Sequence, residues 1–304
     1  MPKIDTAYNE IVQQVLLNGR SYIDDSRSVE RNQIPSAILR HEFKDGFPIL
    51  SGKYVNFNSV LTELIWFLDG NNDIKFLNEN STFIWNQDAY NWYLNTTYDS
   101  PPMEYNEFFK QGVGSVGRNY SKQWRDYNGE VDQIINLVRD MKENIMSTRL
   151  IVNAWNPSEI DKTALPPCHT GFQIVGVPLV DGGYGFELHW HQRSVDLFLG
   201  LPFNIASYAT LAYILEKITG HRALAIQGDL KCVHIYSNAD ENIRAQIKRK
   251  YIFDKPDLII NPKLDIDDID LSDFYLYNYK HHGRLRSKML APNENVKINK
   301  NPLK

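Results

Sequence analysis

The sequence predicts an α+β fold, and three observations carry that prediction. Apolar residues recur at helical spacing in four segments, short apolar runs of strand length follow one another elsewhere, and a Gly-rich turn joins two of those runs. Tyr8, Ile11, Val12, Val15 and Leu16 form one helical stripe that stops at Gly19, a C-cap. FNSVLTELIWFLDG (57–70) is a second, heavily apolar helix. EVDQIINLVRDMKEN (130–144) is an amphipathic third, with Val131, Ile134, Ile135, Val138 and Met141 on one stripe. FNIASYATLAYILEKITG (203–220) is apolar nearly all round and predicts a buried helix.

Between the third and fourth helices the pattern shortens to RLIVNAW, GFQIVGVPLV and YGFELHWHQ. The last two flank Asp181-Gly182-Gly183 and predict a hairpin. KCVHIYS and PDLIINP predict further strands. The polar insert 86–113, rich in Tyr, Asn and Ser, reads as a long loop or lid. No internal repeat and no linker is present, so the expectation is a single domain over residues 1–304, with a frayed polar tail at about 292–304.

The 304 residues are 42% hydrophobic, enough for a substantial core. A net charge of −4 argues against bulk nucleic acid as a partner. Two cysteines, Cys168 and Cys232, are too few for a disulfide framework or a zinc cluster, and no metal is expected. The start MPKIDTAYNE lacks the apolar stretch of a signal peptide, and no run approaches the roughly 20 apolar residues that span a bilayer. The expected location is cytoplasmic, with no membrane partner. The Lys-, Asn- and Ile-rich composition suits an AT-rich genome and a phage-encoded protein acting in its host's cytoplasm.

LPPCHTGFQ (165–173) sets one of the two cysteines between a Pro-Pro pair and a histidine. A thiol attacks as thiolate, which needs nearby cations or donors at neutral pH. His169 adjoins Cys168, and Arg193 lies on the neighbouring predicted strand. Alone, Cys168 reads more readily as a buried small hydrophobe. The next strand and helix add weight: Gln192, Arg193, Ser194 and Asp196 sit at a strand end just before Asn204 on the buried helix, a combination suited to an anion. By itself Asn204 reads as an N-cap, Glu63 as half of a structural ion pair and Trp85 as core.

Seven blocks, in order DGFP, ELIWFL, KQWR, IVNAWN, ALPPCH, QRSVDLFLGLPFNIASYATL and HIYSN, make the chain similar to the thymidylate synthase family, including its hydroxymethylase branch. The resemblance covers residues from roughly 20 to 240 and, more weakly, to 290. It implies a large twisted mixed β-sheet with surrounding helices, and a homodimer formed through the sheet's face. It also implies transfer of a one-carbon unit from 5,10-methylenetetrahydrofolate, a co-substrate, to C5 of dUMP. Cys168 is the implied nucleophile on C6, splitting a hard step into two easier ones.

The same resemblance assigns the other residues. Arg193, Ser194, Arg149 and Arg27 match phosphate ligands, with Arg149 reaching into the partner's site. Asn204 matches the residue that reads the pyrimidine; a carboxamide donates to O4 and accepts from N3–H of uracil, whereas cytidylate-using relatives carry aspartate. His169 and Gln192 belong to the same nucleotide side, and His234 with Tyr236 matches the pair on the sugar 3′-hydroxyl. Asp196 matches a pterin contact, joined on the folate side by Asn56, Trp85, Leu199, Gly200 and Phe203. Glu63 matches the general acid/base near O4 and C5, Tyr120 the residue that helps remove the C5 proton. Trp155 and Asn156 match the block lining the site.

The chain departs from the synthase pattern on the folate side. GRNYS (117–121) stands where synthases read GPVYG, so Arg118 and Asn119 are unusual. Asn56 stands where an aromatic or histidine is common, and Thr148 where the first of two arginines is. The C-terminal segment keeps Tyr277 and a histidine nearby but runs on, basic and polar. These departures favour water over hydride at the transferred carbon, hence a deoxyuridylate hydroxymethylase, over an ordinary thymidylate synthase. A nucleotide-binding or RNA-binding regulator without catalysis would erode Cys168, Glu63 or Tyr120, and all three are present.

Overall fold

The computed structural model describes residues 3–25, 27–97, 101–250 and 252–290. Helix α1 (Lys3–Asn18) leads into a hairpin of β1 (Arg20–Asp24) and β2 (Val29–Glu42) that the sequence did not announce. α2 (Phe57–Leu68) follows, then α3 (Lys75–Glu79), α4 (Asn86–Thr96), α5 (Tyr105–Gln111), α6 (Tyr120–Arg125) and α7 (Gln133–Glu143). The insert expected to be a loop is therefore largely helical, a correction. Tyr90, Tyr93 and Phe108 pack on one another between α4 and α5, so its aromatic residues bury against each other rather than facing solvent.

β3 (Ile151–Asn153), β4 (His169–Pro178) and β5 (Tyr184–Gln192) run antiparallel in turn, and Gly182 and Gly183 take the positive φ angles of the expected hairpin. A short β6 (Val195–Asp196) precedes α8 (Gly200–Thr219), and β7 (Arg222–Tyr236) follows it. The sheet order is β1-β2-β7-β5-β4-β3, with β6 extending the β7 edge. Only the pairings of β7 with β5 and β6 are parallel, because α8 is the crossover that returns the chain in the same direction. α9 (Asp240–Ile247) and a pair, β8 (Asp257–Ile260) with β9 (Phe274–Tyr277), complete the described chain.

α8 carries thirteen buried residues, including Asn204, Tyr208 and Thr210, and packs on α2 and on the inner face of the sheet. That explains its all-round apolar sequence. The strand read at KCVHIYS is the second half of the 15-residue β7. Cys232 breaks it with φ near 47°, opposite Pro35, which has no N–H to give. The Cys232 carbonyl accepts from His234 Nδ1 at 2.7 Å, so this left-handed residue helps aim the imidazole. Among the described residues no helix is long and apolar enough to cross a membrane, and no group of His, Cys, Asp and Glu could hold a metal ion.

Candidate active site

Cys168 lies just before β4, where two elements fix its backbone. Its N–H donates to Tyr120 Oη at 2.6 Å, and its carbonyl accepts the N–H of Arg193 at 2.9 Å. Tyr120 opens α6 and is itself buried, its ring 4.9 Å from both Phe67 and His169. Burial, then the nearby thiol, raises its phenol well above the ordinary value, so the hydroxyl keeps its proton. The half-buried Cys168 thiol is also raised by burial, against the opposing pull of Arg193 and Arg27. These two cations are what the protein offers toward a thiolate.

Arg193 spans the Pro-Pro pair. Its Nε donates to the Pro167 carbonyl and its Nη2 to the Pro166 carbonyl, both at 2.8 Å, and its guanidinium lies 5.3 Å from the Trp155 ring. The guanidinium therefore both braces the segment carrying the thiol and stands beside it. Arg193 and Trp155 also line a depression of about 450 Å³ on the outer sheet face, with Ile151, Asn153, Thr170 and His191. The Ser194 hydroxyl has no protein partner among the described residues, as an anion ligand would not.

Asn204, in the first turns of α8, is held on both sides. Its Oδ1 accepts from Gln192 Nε2 at 3.0 Å, and its Nδ2 faces His169 Nε2 at 2.9 Å. Burial lowers His169 to about 4, so at neutral pH the imidazole is uncharged and its Nε2 accepts. One N–H and one lone pair of the carboxamide remain for a ligand, with their order set by the protein. Asn204 is thus not an N-cap; α8 already begins at Gly200.

Asp196, on β6, accepts the N–H groups of Phe198 and Leu199 through one oxygen, which turns the chain into α8. Across β7, burial lowers His234, whose Nε2 is buried with no partner, and the Tyr236 ring stands 4.7 Å away edge-on. Lys53 reaches the same turn, donating to the Phe198 carbonyl, and burial brings it down to about 8. A Cβ at Gly200 would lie 3.8 Å from Asn204 Oδ1, ordinary contact, so the protein's own packing does not demand glycine there. Leu199 and Phe203 beside it are half-buried.

Glu63, on α2, is the other ionisable group of the cluster. Burial raises it to about 7, while the Trp85 indole donating to its Oε1 at 2.7 Å opposes the shift. Trp85 is buried against Trp66 and edge-on to Tyr120. Glu63 thus connects, through that indole, to the tyrosine beside the thiol. It is no structural ion pair, since the group that bonds its carboxyl is neutral.

Asn56 and Arg149 stand apart from this cluster, and Arg27 reaches it with its guanidinium already engaged. Asn56, at the start of α2, bonds Ser59 Oγ at 2.8 Å and accepts from Tyr54. Arg149 is exposed ahead of β3, and its guanidinium meets no partner among the described residues. Arg27, in the β1–β2 turn, lies near enough to bear on Cys168 and Tyr236, yet its guanidinium donates to the Leu290 carbonyl. Arg118 is occupied elsewhere, donating to Glu159 at 2.6 Å and to Asp126 at 3.2 Å. Asn156 and Gln123 join the same carboxylate of Glu159, so the AWN block is held by this network. Tyr277 is exposed; the tyrosine that anchors the C-terminal segment is Tyr279, whose hydroxyl accepts from Val55 N–H and donates to the Leu50 carbonyl. The tail from 291 lies outside the described residues.

Sequence reasoning missed Asp88. It sits on α4 one turn after Trp85, half-buried, where burial raises it to about 6 against the opposing charge of Arg27. Its charge also bears on Cys168. Reading the insert as a helix would have set it on the face of Trp85.

Comparison with known proteins agrees on one family. The family model described as Thymidylate synthase matches residues 6–291. A protein of Malacoplasma penetrans named thymidylate synthase is 36% identical over 259 residues, 82% of this chain and 88% of that protein. The thymidylate synthase of Staphylococcus haemolyticus is 34% identical over 93% of this chain and 97% of its own length. That of the Aster yellows witches'-broom phytoplasma is 38% identical over 82% of this chain and 87% of its own.

Proposed function

This chain belongs to the thymidylate synthase family, folate-dependent C5 one-carbon transferases acting on dUMP, and from that premise we propose that it is a deoxyuridylate hydroxymethylase. The observation that carries the shared chemistry is the Cys168 backbone fixed by Tyr120 and Arg193, with the Asn204 carboxamide pinned on the adjoining His169. Cys168 adds to C6 of the nucleotide, its phosphate meeting Arg193, Ser194 and Arg27. Asn204 fixes the uracil edge; with an acceptor at Nε2 of His169 holding one N–H, the free N–H meets O4 and Oδ1 meets N3–H. His234 and Tyr236 receive the 3′-hydroxyl.

Methylenetetrahydrofolate, the family's co-substrate, supplies the carbon. Asp196, Leu199, Gly200, Phe203, Trp85 and Asn56 are the residues that face it. Glu63, with a carboxyl near 7, is matched to giving and taking a proton at O4 at neutral pH. Tyr120, neutral and buried, orders the water that takes the C5 proton.

Water rather than hydride completes the reaction in this reading. Support comes from Asn119, buried with an unpartnered Nδ2 next to Tyr120, whereas the Asn56 amide is taken up by Ser59 and Tyr54. Arg118 no longer counts toward it, because Glu159 and Asp126 hold its guanidinium. The alternative is dTMP with dihydrofolate, favoured by the relatives' names. Incubation with dUMP and methylenetetrahydrofolate decides between them: a 5-hydroxymethyl nucleotide by mass spectrometry is expected, and thymidylate with rising dihydrofolate absorbance overturns it. Cys168→Ser abolishes either product; an unchanged rate rejects the enzyme reading altogether.

The chain acts as one domain and as a homodimer. The outer sheet face exposes Ile38, Ile151, Trp155 and Val175, and Arg149 stands at its edge without a partner of its own. A twofold copy on this face would receive Arg149 as a further phosphate ligand. A cytoplasmic location and a phage origin complete the reading, supported by composition alone.

A further inference from the structure

A carboxylate stands beside the thiol with no task in the chemistry assigned to Cys168, Glu63 and Tyr120. Asp88 and Trp85 are one helical turn apart on α4, so their side chains project from one face. Trp85 points that face at Glu63 and Tyr120, the group that holds the Cys168 N–H. Ala89, the next residue, is fully buried, which keeps α4 pressed against the core and fixes the facing of its turn. The Asp88 carboxylate makes no hydrogen bond to the protein among the described residues. The charged and titratable groups that face it are Arg27, from the β1–β2 turn, and Cys168, from the segment before β4.

An unpaired, desolvated carboxylate next to a nucleophile is costly for a purely structural purpose. Where the surroundings also leave it part of the way to a neutral acid, it is suited to taking a proton. We propose that Asp88 is the base that takes a proton from the water attacking the transferred carbon. The proposal rests on the hydroxymethylase reading and deepens it.

After the folate nitrogen has left, the nucleotide carries an exocyclic C5=CH2 and remains bonded at C6 to sulfur. The water oxygen forms a bond to that CH2 as its proton passes to the Asp88 carboxylate. The exocyclic π pair moves to C4=C5, giving an enolate at O4. The enolate then reforms its carbonyl and the C5=C6 bond, expelling Cys168 as thiolate. Tetrahydrofolate leaves at its original oxidation level, and no oxidant or reductant is consumed. Arg27, beside Asp88, stabilises the ionised form that must accept the proton; burial works the other way and leaves the group near 6.

Asp88→Asn tests this in the full-length protein with dUMP and methylenetetrahydrofolate. The expected result is a loss of 5-hydroxymethyl product of about a hundredfold or more, the range for a general base. Capture of 5-fluoro-dUMP with folate as a covalent complex should change less than about threefold, since thiol addition precedes the water step. The wild-type rate should fall below about pH 6, and the variant should lose that limb. Asp88→Glu should recover part of the rate. Diversion of Asp88→Asn to thymidylate also supports the assignment, because only the water branch is blocked. An unchanged hydroxymethyl rate in Asp88→Asn overturns it while leaving the hydroxymethylase reading intact. Loss of covalent capture equal to the loss of product overturns it too, showing that Asp88 serves Arg27 and the fold. Thymidylate as the wild-type product overturns both.

Discussion

The indole nitrogen of Trp85 donates to Oε1 of Glu63 at 2.7 Å, and this neutral donor opposes the effect of burial on that carboxyl. In the unfolded chain the carboxyl titrates near 4.5, but in the fold near 7, so the folded state holds an extra proton between those values. Stability therefore falls as pH rises from 4.5 to 7 and is level above. Glu63→Gln should stabilise the protein by roughly 2–3 kcal/mol in chemical denaturation at about pH 8 and by little below about pH 4. The same variant should lose catalysis. Trp85→Phe removes the opposing bond, and the pH limb due to Glu63 should move upward.

The Asn204–His169 contact makes base choice depend on an uncharged imidazole. Asn204→Asp replaces a donor toward His169 Nε2 with an acceptor, so the ring must carry a proton there. His169 should then titrate well above its present value of about 4, readable by NMR. Preference should move from uracil toward cytosine, as measured by kcat/KM for the two nucleotides. Retained preference for uracil would reject the role given to Asn204.

Arg118 holds Glu159, which also receives Gln123 and Asn156. Arg118→Ala leaves the buried Glu159 carboxylate with two neutral donors and the more distant, exposed Lys162 at 3.6 Å, and should cost about 2 kcal/mol in urea unfolding. Its KM for folate should stay within about twofold. A large rise in KM with unchanged stability would instead put Arg118 on the folate side.

If Arg149 serves the partner's phosphate, Cys168→Ala and Arg149→Ala proteins are each inactive but complementary. Mixing them under conditions that exchange subunits should restore activity that neither has alone, because the hybrid holds one site with both residues intact. Sedimentation should report a dimer. No recovery from an exchanging dimer would place Arg149 in its own subunit's site.

Much of the fold was legible because period and burial coincide. α1, α2, α7 and α8 each show their buried stripe in sequence, and α8 reads as all-apolar because sheet and helix cover it on every side. β2 was not legible: Arg31, Asn32, Gln33, Ser36 and Arg40 face solvent, a turn or an ion pair, and Pro35 interrupts the pairing without ending the strand. α4 and α5 were missed because their few apolar contacts are aromatic pairs, which have no helical period over so short a length. The cluster around Cys168 came from motif resemblance, not from pattern. Spacing alone could not bring Tyr120 or Glu63 to residue 168, since those contacts depend on how helices pack. Asp88 was lost with α4, and Tyr279 was not singled out because two tyrosines share one short stretch.

The segment 51–53 is gripped by residues far before and far after it in the chain. Asp5 accepts from Ser51 and Gly52, His282 donates its N–H to the Ser51 carbonyl, and Arg249 ties the carbonyls of Gly52 and Gly283 together. Lys53 passes that grip on to the turn that launches α8, while Leu290 reaches Arg27. A nascent chain that has reached only about residue 280 therefore holds every chemical group of the pocket but not the clasp that seats them. Competence waits on residues 282–290, and a nonsense codon near residue 280 should yield a chain that keeps the whole Cys168 motif without a working pocket.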